Sequence, residues 1–251
     1  MPFQSKSMSN QPLLGKSALV TGGARRVGRG VAIALAQAGA DVAITFGSSQ
    51  TEAAETAREI ESLGRRTLAV GCDVRSEASV RSAVTAVVDH FGRLDLLVNN
   101  AAVFEPAPLD SMTLDQWDAV FETNARGPFL VSREALPHLR LAEGRIVNIG
   151  SLGGMKAWAS HAHYCASKAA LHSLTQTMAK AFAPEISVNC VAPGWIELDE
   201  SSASTAAHFA AKTPMQRNGS VKDVAQAVLF FAAGPHFVTG QVLAVDGGLG
   251  L

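Results

Sequence analysis

The chain has 251 residues, 47% of them hydrophobic and 17% charged, so it can bury a large core and is not a disordered, collagen-like or coiled-coil sequence. Its 21 Lys and Arg residues nearly balance its 22 Asp and Glu residues, which leaves no basic field to attract nucleic acid or an anionic membrane. Three widely spaced cysteines without a CxxC pair predict no structural zinc and favour a cytoplasmic location. No stretch reaches the roughly 18 apolar residues that a membrane-spanning helix needs.

The pattern of apolar residues predicts an alternation of strands and helices. A polar N-terminal segment is expected to form a flexible tail over residues 1–14, followed by one domain over residues 15–251. Strands are predicted at 17–20, 42–46, 67–70, 94–98, 145–149, 187–192 and 241–245. Capping boxes at Thr113 and Ser220 open two of the helices, and a long helix is predicted over about 163–182. Strands this apolar must be covered on both faces, which predicts a single-domain, doubly wound α/β fold with a parallel sheet.

A glycine-rich turn follows the first strand, where such sheets bind ligands. It runs from Thr21 to Gly30 and includes Gly22 and Gly28. Glycines there let backbone N–H groups approach a pyrophosphate at the N-terminus of the next helix. A turn without a ligand is the alternative, but the position directly after strand one favours a nucleotide.

The choice of nucleotide depends on charges near the adenosine end. An NAD site usually has a carboxylate at the end of strand two, and this chain has none before Glu52. Arg25 and Arg26 lie in the glycine turn, where a guanidinium could pair with a 2′-phosphate, although both could also be solvated surface residues. We therefore predict NADP(H). Asp73, at the end of strand three, is expected either to bind the adenine amine or to form a turn.

Three polar side chains predict proton-transfer chemistry. Ser151 follows strand five, and Tyr164 and Lys168 are four residues apart, on one face of the predicted long helix. A nearby ammonium favours the phenolate, so the tyrosine could exchange a proton with a carbonyl or an alcohol. Asn124 is a candidate to hold a water that connects Lys168 with solvent. An ordinary helix face with a solvated lysine is the alternative.

Together these motifs resemble the short-chain dehydrogenase/reductase family. The resemblance covers about residues 14–251 and includes Asn99-Asn100-Ala101 after strand four and Pro193-Gly194 after strand six. It implies a Rossmann fold with seven strands in the order 3-2-1-4-5-6-7 and hydride transfer from a nicotinamide. In that scheme Tyr164 is the acid/base, Ser151 orients the substrate, and Asn124 completes a proton relay. Lys168 would bind the nicotinamide ribose and lower the tyrosine pKa.

The resemblance also implies a set of cofactor-binding residues. They are Gly22, Arg25, Arg26, Val27, Gly28, Phe46, Ser48, Asp73, Val74, Asn100, Ala101, Ala102, Tyr164, Lys168, Pro193, Gly194, Trp195 and Ile196. Three positions depart from the family pattern, because Arg26 and Ala102 replace glycines and Leu198 stands near a usual threonine. Arg26 together with Phe104 is similar to the pteridine reductases, in which an aromatic ring stacks on a flat heterocycle.

The substrate pocket is expected to be mainly apolar. Its predicted substrate-binding residues are Phe104, Ser151, Trp158, His163, Trp195 and Phe209, with Met155 and His161 as further candidates for the wall. His161 and His163 alone make an incomplete metal site, so no metal is predicted.

These features predict an NADPH-dependent oxidoreductase that reduces a small-molecule carbonyl to an alcohol. A 3-oxoacyl thioester is the leading substrate, and a pteridine, a quinone or a xenobiotic carbonyl is the alternative. A non-catalytic NADP-binding sensor or structural subunit is an alternative of another class. Resemblance at the C-terminal end of the chain, from Val245 to Leu251, implies a homotetramer, with a dimer also open.

Overall fold

The computed structural model describes residues 11–251. Most of the predicted tail, residues 1–10, lies outside the described residues. Leu13 is buried, and its N–H donates to the carbonyl of Ala38 at 2.9 Å. The packed part of the chain therefore includes Leu13, which lies before the predicted boundary at residue 15.

Seven parallel strands form one sheet at the centre of the fold. The strands are β1 (Ser17–Val20), β2 (Asp41–Phe46), β3 (Thr67–Gly71), β4 (Leu96–Asn99), β5 (Arg145–Ile149), β6 (Ser187–Pro193) and β7 (Val242–Val245). Their spatial order is β3-β2-β1-β4-β5-β6-β7, and every neighbouring pair is parallel. The predicted sheet and its order are confirmed. All carboxyl ends lie at one edge, where the chain leaves each strand.

Helices cover both faces of the sheet. They are α1 (Arg26–Gln37), α2 (Gln50–Ser62), α3 (Glu77–Phe91), α4 (Leu114–Phe121), α5 (Gly127–Leu141), α6 (Ala162–Ala181), α7 (Ala203–Lys212) and α8 (Val221–Ala233). One hydrophobic cluster joins the sheet with α1, α2 and α8, and a second joins it with α3, α5 and α6. The strands at the centre of the sheet are buried on both sides, as their continuous apolar sequences predict, whereas the edge strands β3 and β7 are only partly buried.

Local sequence signals explain where several helices begin. Thr113 and Gln116 form the predicted capping box at α4, and Ser220 and Asp223 form the one at α8. Helix α7, in the segment after β6, was not among the predicted elements. Ser202 caps it by accepting a hydrogen bond from the N–H of Thr205. Within residues 11–251, no helix is long and apolar enough to cross a membrane.

One irregular turn separates α4 from α5. The sequence places Asn124 on the helix that Thr113 opens, but that helix ends at Phe121, and Glu122–Arg126 form a π-helical turn. Pro128 explains the irregularity, because it has no N–H to donate to the carbonyl of Asn124 four residues earlier. The turn moves Asn124 out of a regular helical ladder and into the protein interior.

Candidate active site

A cleft of about 1420 Å³ opens at the carboxyl edge of the sheet. Every residue of the predicted dinucleotide site lines this cleft. So do Phe104, Ser151, Trp158, Trp195 and Phe209 of the predicted substrate site. The two groups occupy one continuous cavity, so a bound dinucleotide and a small substrate could meet there.

The glycine turn is held open by hydrogen bonds from the neighbouring strand. The side-chain amide of Asn100 donates to the carbonyls of Thr21 and Gly22, both at 3.0 Å. Gly22 has a left-handed backbone with φ of +64°, and a Cβ atom at Gly28 would lie 2.2 Å from the Gly22 carbonyl oxygen. Only glycines fit this close approach, which leaves backbone exposed at the start of α1.

The charges around this turn suit a phosphorylated dinucleotide. Helix α1 has no side-chain cap and no acidic residue in its first turn, so its first N–H groups face the cleft without a built-in anion. Arg25 and Ser48 line the cleft near the end of β2, where no carboxylate follows the strand. A turn with free N–H groups, a guanidinium and hydroxyls therefore fits a dinucleotide that carries a 2′-phosphate.

Arg26 lines the cleft and pairs with the segment between β6 and α7. Its guanidinium is 2.5 Å from a carboxylate oxygen of Glu200. Its φ of 51° lies in the left-handed region that favours glycine, which has some cost for a residue with a side chain. The ion pair connects the glycine turn to the segment that precedes α7.

Asp73 adopts the turn-forming role that the sequence left open. Its carboxylate accepts hydrogen bonds from the backbone N–H and the guanidinium of Arg75. The hydrogen bond from the Arg75 guanidinium holds the Asp73 pKa below its usual value. Asp73 is partly exposed at the cleft wall, and its contact with an adenine amine stays a prediction.

Tyr164, Lys168 and Ser151 converge at the base of the cleft. Lys168 is only 2% exposed, and its Nζ donates to the carbonyl of Ile149 at 2.8 Å. This nitrogen lies 5.7 Å from the centre of the Tyr164 ring. Ser151 is buried beside them, and its Oγ accepts a hydrogen bond from the N–H of Gly153 at 3.0 Å.

Burial controls the acidity of this group. It lowers the pKa of Lys168 to about 8. It raises the pKa of the Tyr164 phenol above its ordinary value, and the Ser151 hydroxyl acts in the opposite direction. The expectation that Lys168 lowers the tyrosine pKa stays a prediction, since burial is the largest cause and acts the other way.

Asn124 lies behind this group rather than in the cleft wall. Its side chain exchanges two hydrogen bonds with the backbone of Val103, at 2.8 and 2.9 Å, and donates to the Ser167 hydroxyl at 3.2 Å. The side-chain amide is therefore fully engaged. The role of Asn124 in a proton relay stays a prediction.

Aromatic rings surround Tyr164 on the substrate side. Phe104 meets the tyrosine ring edge-on at 4.8 Å and stacks on His161 at 4.5 Å. Trp158 lies parallel to the tyrosine ring at 6.1 Å. After β6, Trp195 stacks on Phe209 of α7 at 4.2 Å. These rings give the substrate side of the cleft a mainly aromatic lining.

Two predicted members of the pocket lie outside the cleft. His163 is only 1% exposed, because its position on α6 turns the imidazole into the interior, and its neighbour His161 lines the cleft instead. Met155 is exposed and does not line the cleft. In the part of the chain that the structure describes, no group of three or more His, Cys, Asp or Glu side chains could hold a metal ion.

The sequence analysis did not identify His172 as a neighbour of Ser151, although the two residues are in contact. The Ser151 N–H donates to His172 Nε2 at 3.4 Å. A signal existed, because His172 is four residues beyond Lys168 and so continues the helix face that begins at Tyr164. The spacing alone did not show that its side chain reaches the loop after β5.

The comparisons with known proteins cover nearly the whole chain. The family described as Enoyl-(Acyl carrier protein) reductase matches residues 22–250. A 3-oxoacyl-(acyl-carrier-protein) reductase from Synechocystis sp. is 36% identical over 242 residues, which are 94% of this chain and 98% of that protein.

Solved structures are similar in both sequence and shape. A short-chain dehydrogenase from Burkholderia cenocepacia J2315, crystallised in complex with NADP, is 41% identical, and its TM-score is 0.89. The match covers 96% of this chain and 100% of that protein. A blue fluorescent protein from a metagenomic library, crystallised in complex with NADPH, is 38% identical with a TM-score of 0.88. The match covers 95% of this chain and 99% of that protein.

Proposed function

Since the chain belongs to the short-chain dehydrogenase/reductase family of oxidoreductases, we propose that it reduces a small-molecule carbonyl to an alcohol with NADPH. The observation that carries this proposal is the convergence of Tyr164, Lys168 and Ser151 at the base of a cleft that also contains the glycine turn. A sensor without turnover could use Lys168 to hold the cofactor, but it would not need a buried phenol and a buried serine hydroxyl beside it, since polar groups are costly to bury. The arrangement therefore favours an enzyme over a non-catalytic sensor.

The cofactor proposal rests on the glycine turn and on Arg25. NADP(H) fits the turn, and the two solved relatives described above were crystallised with NADP and NADPH. We propose that Arg25 binds the 2′-phosphate together with Ser48, which lines the same cleft, because guanidinium–phosphate pairs are strong and directional. Lys168 would hold the hydroxyls of the nicotinamide ribose. When bound, the reduced nicotinamide supplies a hydride.

In this proposal, Ser151 and Tyr164 orient the substrate and supply the proton. Ser151 would donate its hydroxyl hydrogen to the substrate carbonyl oxygen while the Gly153 N–H occupies one of its lone pairs. Tyr164 would then transfer its phenolic proton to the same oxygen as the hydride reaches the carbon, so one hydride and one proton give the alcohol. The raised pKa keeps this phenol protonated at neutral pH, which suits a general acid in carbonyl reduction.

The leading substrate is a 3-oxoacyl thioester. The relative from Synechocystis sp. is named as a reductase of such substrates. A second candidate is a flat ring such as a pteridine or a quinone, and it is favoured by the rings of Phe104, Trp158 and His161 around Tyr164. Aromatic walls bind flat, unsaturated ligands by stacking.

The proposed function is tested by a substrate panel with a matched variant. NADPH consumption is followed with an acetoacetyl thioester, a dihydropteridine, a quinone and a simple aldehyde, for the wild type and Tyr164→Phe. We expect the wild type to consume NADPH with at least one class, and the variant to lose about 10²- to 10⁴-fold in kcat, because general acid catalysis contributes that much. The Kd for NADPH should stay within about threefold. Equal turnover by the variant would contradict the mechanism, and tight NADPH binding without turnover of any carbonyl would favour the sensor.

Cofactor selectivity is tested at Arg25. Arg25→Gln should raise the Kd for NADPH by about 10- to 100-fold and leave that for NADH almost unchanged, because hydrogen bonds to a charged group contribute about 1.5–3 kcal/mol. Arg29→Gln is the control, since Arg29 lies one turn along α1 and pairs with Glu59 outside the cleft. Equilibrium titration of protein fluorescence measures both cofactors. Equal losses for NADPH and NADH would place the contact away from the 2′-phosphate.

The acidity of Tyr164 predicts opposite pH dependences for the two directions of the reaction. Reduction needs the protonated phenol, so its kcat should be nearly flat from pH 6 to 8. Alcohol oxidation needs the phenolate, so its rate should rise with pH, by up to about tenfold per unit below the tyrosine pKa. Stopped-flow measurements in both directions, with the Kd for NADPH measured at each pH, test this. A reduction rate that falls tenfold per unit from pH 6 upward would show that the acid is not a raised-pKa phenol.

We also propose one domain, a homotetramer and a cytoplasmic location. One continuous sheet supports the single domain, and three buried free cysteines suit a reducing compartment. Phe230, Phe237 and Leu243 leave apolar surface exposed around α8 and β7, which suits a subunit contact. Sedimentation velocity of the full chain should give a tetramer, and a monomer at micromolar concentration would contradict the proposed assembly.

A further inference from the structure

The active-site face of α6 continues beyond the tyrosine and the lysine. Tyr164, Lys168 and His172 follow one another at intervals of four residues, so they share one face of the helix. We propose that His172 is a positioning residue, whose imidazole accepts the backbone N–H of Ser151 and so aims the serine hydroxyl at the substrate carbonyl. This proposal rests on the proposed carbonyl reduction, in which Ser151 orients the substrate.

The shape of the loop after β5 supports this role. A Cβ atom at Gly150 would lie 2.3 Å from His172 Nε2, and one at Gly154 would lie 2.6 Å from His172 Cε1. The imidazole therefore occupies the space that side chains would fill on both sides of Ser151. The loop and the imidazole ring pack closely, because a side chain at either glycine would clash with His172.

Electrostatics keeps the imidazole in the form that can accept a hydrogen bond. Burial and the nearby Lys168 ammonium lower the pKa of His172 to about 4. Cys190, whose Sγ also lies against Gly150, is held as a thiol by burial, which raises its pKa to about 12. A neutral His172 that accepts through Nε2 carries its proton on Nδ1.

The contact reaches the reacting atoms through the serine backbone. Gly150 donates its N–H to Val191 at 2.7 Å, and Ser151 then leaves the strand with its own N–H directed at His172. The Ser151 Oγ accepts from Gly153 further along the same loop. A loss of the His172 acceptor would leave a buried N–H unpaired, and the loop would move to satisfy it.

A double-mutant cycle tests the proposal. His172→Leu should lower kcat by about 10- to 100-fold, since a displacement of about 1 Å at a reacting group costs up to about that much. His172→Gln should recover kcat to within about threefold of the wild type, because its amide oxygen can accept at nearly the same point. In a Ser151→Ala background, His172→Leu should cause no further loss. Met178→Ala is the control, because Met178 is buried on α6 two turns away from the loop, so its loss should lower the Tm and leave kcat within threefold.

Several results would overturn the positioning role. Losses that multiply in the double variant would mean that His172 acts elsewhere than through Ser151. Equal losses for His172→Gln and His172→Leu would mean that the imidazole only fills space, and an equal loss for Met178→Ala would mean that any damage to α6 slows the reaction.

A measurement without substrate separates this proposal from the proposed function. The ¹⁵N chemical shifts of His172 in the wild type should show a protonated Nδ1 and an unprotonated Nε2 at neutral pH. A proton on Nε2 would exclude acceptance from Ser151 whether or not any carbonyl is reduced. An absence of turnover in the wild type, with the expected shifts, would overturn the proposed function and leave the hydrogen bond in place.

Discussion

The parallel pairing of β1 with β4 is the constraint on which the cleft depends. Parallel neighbours end at the same edge of a sheet, so Thr21 and Asn100 leave their strands side by side. The Thr21 hydroxyl accepts hydrogen bonds from the N–H groups of Asn100 and Ala101, at 2.9 and 3.1 Å. The Asn100 amide in turn donates to two carbonyls of the glycine turn. This reciprocal connection fixes the turn before any ligand binds, so the close backbone approach at Gly28 costs no ordering of a mobile loop at that moment.

A second set of hydrogen bonds gives α6 its position against the sheet. Within the core, the Asn99 amide donates to Asn148 at 2.8 Å, and the Asn148 amide donates to the Thr175 hydroxyl at 2.8 Å. A buried polar group that loses its partner costs about 1–3 kcal/mol, so a rotated or shifted helix would be penalised at each of these contacts. Hydrophobic packing alone tolerates small shifts better than such directed bonds do. The chain of amides therefore explains how Lys168 is held within hydrogen-bonding distance of Ile149.

The sequence predicted the architecture well, because strong periodic signals carry it. Apolar strands alternate with helices whose capping boxes can be recognised at Thr113 and Ser220, and glycines mark the phosphate-binding turn. Prediction failed where a single residue alters the path of a helix, where a side chain's orientation depends on packing, and where two distant segments meet. The π-helical turn around Asn124 depends on one proline, and the buried orientation of His163 depends on the rotation of α6 against its neighbours. The spacing from Lys168 places His172 on the active-site face of α6, but its contact with the loop after β5 joins residues 21 positions apart, which local spacing does not predict.

The environment of Lys168 argues that the cleft is shaped for a polar ligand. Burial lowers its pKa from an ordinary 10.5 to about 8, which corresponds to roughly 3 kcal/mol against the charged form. An ammonium has three N–H donors, and among residues 11–251 the carbonyl of Ile149 is the one hydrogen-bond acceptor that it contacts. A purely structural position would be filled better by an apolar side chain of similar length, because an incompletely paired buried charge destabilises a core. Two further acceptors presented from the cleft, such as the hydroxyls of a ribose, would pair the remaining N–H donors of Lys168 and so favour the charged form. The cost of burying Lys168 therefore supports the proposal that this lysine belongs to a binding site that a sugar completes.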